Sequence, residues 1–257
     1  MMMNKSILTI ARFTFFEALR NRLFLLTLIG LLCVLGLTEF VGELAISESK
    51  GIQAILIGAG MRLFAVATIA LFVITSMVRE FNDKGFDLIA SLPLPRSDYY
   101  FGKFFGFLLL SLVIALSTGV LLLIYSPAVA VLLWLLSLIC ELAIVISLSL
   151  LCLFTFSNVT VAFMVVAGFY ILSRSIYTIQ LISNSPILES AAISQQFMRQ
   201  ATDAVAFLLP GLHDFTKSEW LAYGVNWQDI QPVIIQTAIY LVLLCAAGLF
   251  DLYRKNL

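Results

Sequence analysis

Six long apolar runs constrain the fold of this chain more than any other feature of its sequence. Each run has about 20 residues or more, the length that a helix needs to cross the hydrocarbon of a bilayer. We predict spans at Leu23 to Leu44, Ile55 to Val78, Tyr100 to Tyr125, Ala128 to Phe156, Val159 to Leu181 and Pro232 to Leu252. Charged residues are only 12% of the chain, against roughly 25% in soluble domains. The sequence therefore predicts an all-α integral membrane protein in one domain, residues 1–257.

The positions of the basic residues predict the orientation of these spans. Ten of the 15 lysines and arginines precede span 1, lie between spans 2 and 3 or in the first turn of span 3, or follow span 6: Lys5, Arg12, Arg20, Arg22, Arg79, Lys84, Arg96, Lys103, Arg254 and Lys255. The positive-inside rule places these segments in the cytoplasm. We thus expect a multi-pass membrane protein with both termini in the cytoplasm. The 15 acidic residues balance the 15 basic ones, which argues against a nucleic-acid partner.

Residues 5–22 are predicted to form a helix of their own before the first span. Lys5, Thr9, Arg12 and Arg20 share one side of a helical wheel, and apolar residues fill much of the other side. This pattern is typical of a helix that lies in the membrane interface, with cations among the lipid headgroups. The alternative is that these residues extend span 1, which would place Arg12 in the hydrocarbon.

The segment 182–231 is too polar to span and is predicted to be an extracytoplasmic helical segment between spans 5 and 6. An amphipathic helix is expected from Ser185 to the break at Pro210-Gly211. A capping box at 216–219 then predicts a short helix with Trp220 and Tyr223. The segment could gate an exit, receive an extracytoplasmic accessory protein or cover the helix ends as a lid.

The cytoplasmic loop 79–103 is predicted to hold one small amphipathic helix. Its apolar residues recur at helical spacing and stop at two prolines: Phe86, Leu88, Ile89 and Leu92, followed by Pro93 and Pro95. Ser97 is expected to cap span 3. An apolar face on so short a helix requires a partner.

The residues of this loop resemble those of a known family. Glu80, Lys84-Gly85, Asp87, Leu92-Pro93, Arg96 and Gly102-Lys103 occur in the order found in permease subunits of ABC-2 type ABC transporters. The stretch 209–215, Tyr223-Gly224 and the end of span 6 resemble the subgroup that includes the permease of the nitrous-oxide reductase maturation system. Phe86 departs from the pattern, because the family more often has Thr or Ser after the glycine.

This resemblance implies a transport subunit of the bacterial cytoplasmic membrane, expected to be an exporter, whose loop helix docks on a separate ATP-binding subunit. The residues implied in coupling are Glu80, Lys84, Gly85, Phe86, Asp87, Leu88, Leu92, Pro93 and Arg96. The same residues could instead only anchor a turn beside the membrane. ATP and Mg would bind two copies of the partner subunit, because this chain has no Gly-x-x-x-x-Gly-Lys-Ser/Thr sequence. A second permease copy, in a homodimer, is expected, and no cofactor or enzymatic chemistry is expected in this chain.

Glu141 lies near the middle of span 4, where an ionisable residue requires a partner or water. Arg174 and Arg62 are the candidate partners. The carboxylate could line a translocation path, act at a hinge or only tie helices together. An ion-driven secondary transporter with Glu141 as its protonation site, and a non-transporting membrane assembly factor, are the alternative functions. The single histidine, His213, makes a poor metal site.

Overall fold

The structure is a computed structural model that describes residues 3–44, 49–83, 95–156, 158–184, 193–215, 217–225 and 227–254. Every regular element in these ranges is an α-helix, which confirms the all-α prediction. The helices are α1 (Met3–Leu19), α2 (Arg22–Leu44), α3 (Ser49–Asn82), α4 (Arg96–Leu122), α5 (Ala128–Thr155), α6 (Val159–Asn184), α7 (Ile193–Leu208), α8 (Leu212–Phe215), α9 (Trp220–Tyr223) and α10 (Trp227–Arg254).

Several of these helices are long and apolar enough to cross a membrane. Among the described residues, α3, α4, α5, α6 and α10 each meet that condition, so there are 5 such helices. A sixth candidate is the pair of α1 and α2, whose axes differ by 59° across a short break at Arg20 and Asn21. The chain is therefore a multi-pass helical membrane protein.

Helix α5 forms the centre of the bundle. Its only charged side chain is that of Glu141, and a helix that is apolar on all sides belongs in the interior. In its most apolar window 67% of the residues are buried, against 17% for α10. Helices α3, α4, α6 and α10 all contact α5, while α1 packs along α4 and α2 along α3.

The two ends of the bundle differ in what they hold. At one end, which we name the Arg79 end, α3 and α10 finish and α4 begins; Arg96 binds the carbonyl of Leu252 there. At the other end, named the Trp220 end, α9 packs on the first half of α3. A methyl group added at Gly58 of α3 would lie 2.5 Å from Cδ1 of Leu221, so the side chain of Leu221 occupies the space that the glycine leaves open.

The predicted apolar side of α1 is largely the side that the helix buries, but it lies against another helix. Ala11 and Ala18 of that side are buried, and Phe15 and Leu19 pack against the core, whereas Leu8 is exposed. The reason is a close contact with α4, where a methyl group at Gly106 would lie only 2.6 Å from Cβ of Thr14. Wheel position alone could not reveal this partner.

Several predicted boundaries need correction. Ser97 does not cap α4, because the helix begins at Arg96 and the extended residue before it is Pro95, whose ring fixes φ. Pro232 lies inside α10 and does not begin it, so the helix continues past one missing main-chain donor. The predicted helix before the Pro210-Gly211 break is found from Ile193, and residues 185–192 lie outside the described ranges. Helix α9 is present, but Glu219 directly before it makes no side-chain cap, and Thr216, the first residue of the predicted capping box, lies outside the described ranges.

Candidate functional site

Among the residues that the structure describes, we distinguish one polar cluster inside the apolar bundle and a second at its Arg79 end, and the first is centred on Glu141. In this Glu141 cluster, Nη1 of Arg62 lies 2.9 Å from Oε2 of Glu141, and neither side chain is exposed. Helix α3 supplies the arginine and α5 the glutamate, each from a position far from its helix ends. The members of the cluster are Arg62, Trp134, Ser137, Glu141, Tyr170, Arg174 and the carbonyl of Phe215.

The carbonyl of Phe215 brings the segment after α7 into this cluster. Phe215 is the last residue of α8, where main-chain carbonyls have no partner within the helix. Its oxygen accepts a hydrogen bond of 2.5 Å from Nη1 of Arg62 and another from the hydroxyl of Ser137. The Phe215 ring is itself fully buried. The segment thus reaches into the bundle and does not only cover its end.

The remaining contacts enclose both charges. The guanidinium of Arg62 lies 4.6 Å from the ring centroid of Trp134, a cation–π contact that is worth about 2 kcal/mol or more when desolvated. The hydroxyl of Tyr170 donates to Oε1 of Glu141 at 2.8 Å. Nη1 of Arg174 donates to that same hydroxyl at 3.1 Å. Both carboxylate oxygens are therefore hydrogen-bonded.

The structure thus gives each sequence-predicted residue of the membrane interior a place. Arg62 contacts Glu141 directly, whereas Arg174 reaches it only through Tyr170. Glu141 and Arg62 are completely buried within one chain. This arrangement favours a helix tie over a translocation path, because neither charge faces a surface of the bundle.

Ser137 and Tyr170 were missed by reasoning from the sequence, although a signal was present. Ser137 lies four residues before Glu141 on α5, and Tyr170 lies four residues before Arg174 on α6. Side chains at that spacing share one face of a helix. A polar residue one turn from an intramembrane charge is therefore a sign of a shared site. The carbonyl of Phe215 had no comparable signal.

The second cluster lies at the Arg79 end, where α3 finishes and α4 begins. We name it the loop-base cluster; its members are Glu17, Arg79, Glu80, Arg96, Asp98, Tyr99 and Lys103. Glu80 forms an ion pair with Lys103 and accepts a 3.0 Å hydrogen bond from the hydroxyl of Tyr99. The side chains of Lys103 and Glu80 are 6% and 14% exposed. This pair therefore joins α3 to α4 in a nearly dry setting.

Residues of α1 and α10 also contact the helix ends that form the loop-base cluster. Glu17 of α1 pairs with Arg79, and Ser6 donates a 2.6 Å hydrogen bond to Asp98. Arg96 donates to the carbonyl oxygens of Leu252 and Tyr253 at 2.9 and 3.2 Å. These last carbonyls of α10 have no partner within their own helix, and a cation there also suits the helix dipole.

Some of the predicted coupling residues belong to the loop-base cluster. Glu80 and Arg96 both belong to the loop-base cluster, and so does Lys103 of the Gly102-Lys103 pair. Gly102 permits α1 to approach, because a methyl group there would lie 2.7 Å from Cβ of Ile10. The other predicted coupling residues lie outside the described ranges: Lys84, Gly85, Phe86, Asp87, Leu88, Leu92 and Pro93.

Outside these two clusters, His213 stacks on the ring of Tyr177, with the ring centroids 4.2 Å apart. It also lies 3.4 Å from Asp214, which pairs with Lys217. In the part of the chain that the structure describes, no three His, Cys, Asp or Glu side chains are grouped as a metal site would require. Comparison of the sequence with known family models and with curated proteins finds no match.

Proposed function

We propose that this chain is the membrane-spanning permease subunit of an ATP-driven transporter of the ABC-2 type, working as an exporter. Two permease copies would pair in a homodimer, each with a separate subunit that binds ATP and Mg. The observation that carries the proposal is the loop-base cluster. It joins the two helix ends that flank residues 84–94 to each other and to α1 and α10.

The loop-base cluster is suited to the transfer of force from a docked partner to the membrane helices. A push on the loop would act first on the ends of α3 and α4, which the nearly buried Glu80–Lys103 pair joins. Movement of one end alone would leave a nearly buried charge without its partner, which is unfavourable. The two ends would therefore move together, and Arg96 would pass the motion to α10.

The proposed topology has six spans, with α2 as the first, and an interfacial elbow helix, α1. In this arrangement the Arg79 end faces the cytoplasm of a bacterial cell, and α7, α8 and α9 lie on the outer side. The 59° bend between α1 and α2 suits a helix that leaves the membrane axis. Arg12, Arg20 and Arg22 are exposed beside this bend, where headgroup phosphates would surround them.

The geometry of Glu141 opposes an ion-driven mechanism. A carboxylate that carries protons has to reach water and change its charge during the cycle. Here both oxygens of Glu141 are bonded, and the side chain is fully buried beside the positive charge of Arg62. Loss of that negative charge would leave a buried arginine without its counter-ion.

The test is to purify the full chain from its native membrane and to measure whether an ATPase co-purifies in proportion. Asp87→Lys and Leu88→Asp are expected to reduce binding of the ATPase subunit to this chain, or to reduce ATP hydrolysis by the assembled complex. A permease that purifies from its native membrane without any ATPase, and transports without ATP, would overturn the proposal.

A matched control uses the same charge reversal at the opposite end of the bundle. Glu219 is exposed beside α9 at the Trp220 end. Glu219→Lys is expected to leave ATPase binding unchanged, because it lies on the far side of the membrane from the proposed docking helix. If Asp87→Lys and Glu219→Lys behave alike, the loop has no special role in docking.

A further inference from the structure

A groove runs beside the bend between α1 and α2, at the Arg79 end. Its volume is about 1020 Å³, and ligand pockets commonly measure about 300–1,000 Å³. The groove therefore has room for a small molecule or a headgroup. Its walls combine polar and apolar side chains: Leu8, Thr9, Arg12, Phe13, Phe16, Glu17, Arg20, Asn21, Arg22 and Arg79. We name it the N-terminal groove.

The charge of this groove is strongly positive. Arg12, Arg20, Arg22 and Arg79 face a single carboxylate, that of Glu17. In the described part of the chain, Arg79 is the only one of these arginines that pairs with an acidic group. Helix α2 also begins at Arg22, so the positive end of its dipole adds to the field. Arg12 lies 5.6 Å from the ring centroid of Phe16, but no second carboxylate among the described residues lines the groove, so an excess of positive charge remains.

The apolar walls of the groove are as exposed as its charges. Leu8 and Phe13 are 72% and 73% exposed, and Phe16 is 49% exposed. Leu25 and Leu26 continue this exposed apolar surface along α2. A ligand that matches the whole surface must join an anionic head to an apolar body, which is the chemistry of an anionic phospholipid.

We propose that the N-terminal groove is a binding site for one anionic glycerophospholipid. Its phosphate would lie among Arg12, Arg20 and Arg22, and its acyl chains would run past Phe16 and along the exposed leucines of α2. Arginine suits this role, because its planar group donates two parallel hydrogen bonds to a phosphate. The site does not depend on the proposed transport activity, since it needs only contact between the groove and lipid.

The test titrates the purified full-length chain in a neutral detergent with dioctanoyl phosphatidylglycerol. Dioctanoyl phosphatidylcholine and glycerol phosphate are titrated separately as probes. Phosphatidylglycerol is expected to bind at least tenfold more tightly than either. Equal binding of phosphatidylcholine would mean that the groove only holds acyl chains. Equal binding of glycerol phosphate would mean that it is a site for soluble phosphates, and either result overturns the proposal.

Two opposite variants locate the site. Arg20→Gln with Arg22→Gln is expected to weaken phosphatidylglycerol binding at least tenfold, whereas Lys217→Gln with Arg254→Gln removes the same charge outside the groove and should not. Glu17→Gln frees Arg79 and removes the opposing carboxylate, so it should tighten binding several-fold. A loss of function through misfolding could not produce that gain. Unchanged binding in the Arg20/Arg22 variant would overturn the proposal.

Discussion

Arg62 and Phe215 are separated by 153 positions in the chain, yet a hydrogen bond of 2.5 Å joins the guanidinium of one to the carbonyl of the other. The same nitrogen binds Glu141. One side chain therefore holds the centre of the bundle and the segment after α7 in a single arrangement. The strength of this arrangement can be measured one group at a time.

Removal of either charge from the Glu141 cluster should destabilise the protein strongly. Glu141→Gln or Arg62→Gln leaves one buried charge without its partner, at a cost of about 3–5 kcal/mol. The double variant should lose less than the sum of the two, with a coupling of about 0.5–3 kcal/mol. The measurement is the free energy of unfolding in micelles. Additive losses would show that the two groups do not interact, and Arg254→Gln is the exposed control.

The hydroxyl of Tyr170 should contribute far less than the ion pair. Tyr170→Phe removes its bonds to Glu141 and Arg174, and such bonds within membranes are worth about 0.6 kcal/mol on average and about 1.7 at most. Unfolding should therefore become easier by an amount in that range. Tyr177→Phe is the control, since Tyr177 contacts His213 through its ring. An equal effect of the two variants would contradict the assignment.

Gly106 should tolerate a methyl group poorly. Gly106→Ala would press Cβ against Thr14 and the carbonyl of Ala11, and such overpacking costs about 1–3 kcal/mol. Gly168→Ala is matched, because nothing lies within 4 Å of the added carbon. It should be neutral or stabilise α6 by up to about 1 kcal/mol. Thermal unfolding in micelles should therefore show a lower melting temperature for Gly106→Ala and an equal or higher one for Gly168→Ala. Equal changes in melting temperature would refute the close contact.

The loop-base cluster should affect stability and coupling separately. Lys103→Met leaves Glu80 buried without its cation and should lower the free energy of unfolding by about 3–5 kcal/mol. Adding Glu80→Gln should restore much of that stability. Under the proposed function, the double variant would still hydrolyse ATP abnormally in the complex, because α3 and α4 are no longer joined. Normal hydrolysis in a stable double variant would show that the pair is only structural.

The proposed orientation predicts which positions can be labelled from outside an intact cell. In a variant without the four natural cysteines, a cysteine at Phe207, which is 91% exposed, should react with a membrane-impermeant maleimide. A cysteine at Arg20 should react only after the cells are opened. Reaction at Arg20 in intact cells would reverse the topology.

The helices could be predicted from the sequence because their cause is local. Twenty apolar residues must form a helix in a bilayer wherever they lie, so α5 and α6 begin where their runs begin, at Ala128 and Val159. The need of Glu141 for a basic partner could also be foreseen, since an unpaired charge in hydrocarbon is too costly.

The features of the two clusters and of α1 that the sequence did not predict depend on contacts between residues far apart in the chain. The carbonyl of Phe215 is an ordinary main-chain group in the sequence, and only the folded chain brings it to Arg62. Glu17 was absent from the predicted cationic face of α1, and its partner, Arg79, is 62 positions away. The burial of the apolar side of α1 likewise depends on its contact with Gly106 of α4, a residue that lies outside the segment placed on the helical wheel.

The close packing of α1 on α4 also has a consequence for the surrounding lipid. Because Gly102 and Gly106 bring the two main chains together, α1 cannot roll or slide independently of α4. In the proposed arrangement, with α1 in the membrane interface, any tilt of α4 would sweep the exposed Leu8 and Phe13 through the headgroup layer. The thickness and stiffness of the bilayer would then act directly on a moving part of the protein, so the membrane itself would help to set how readily it changes shape.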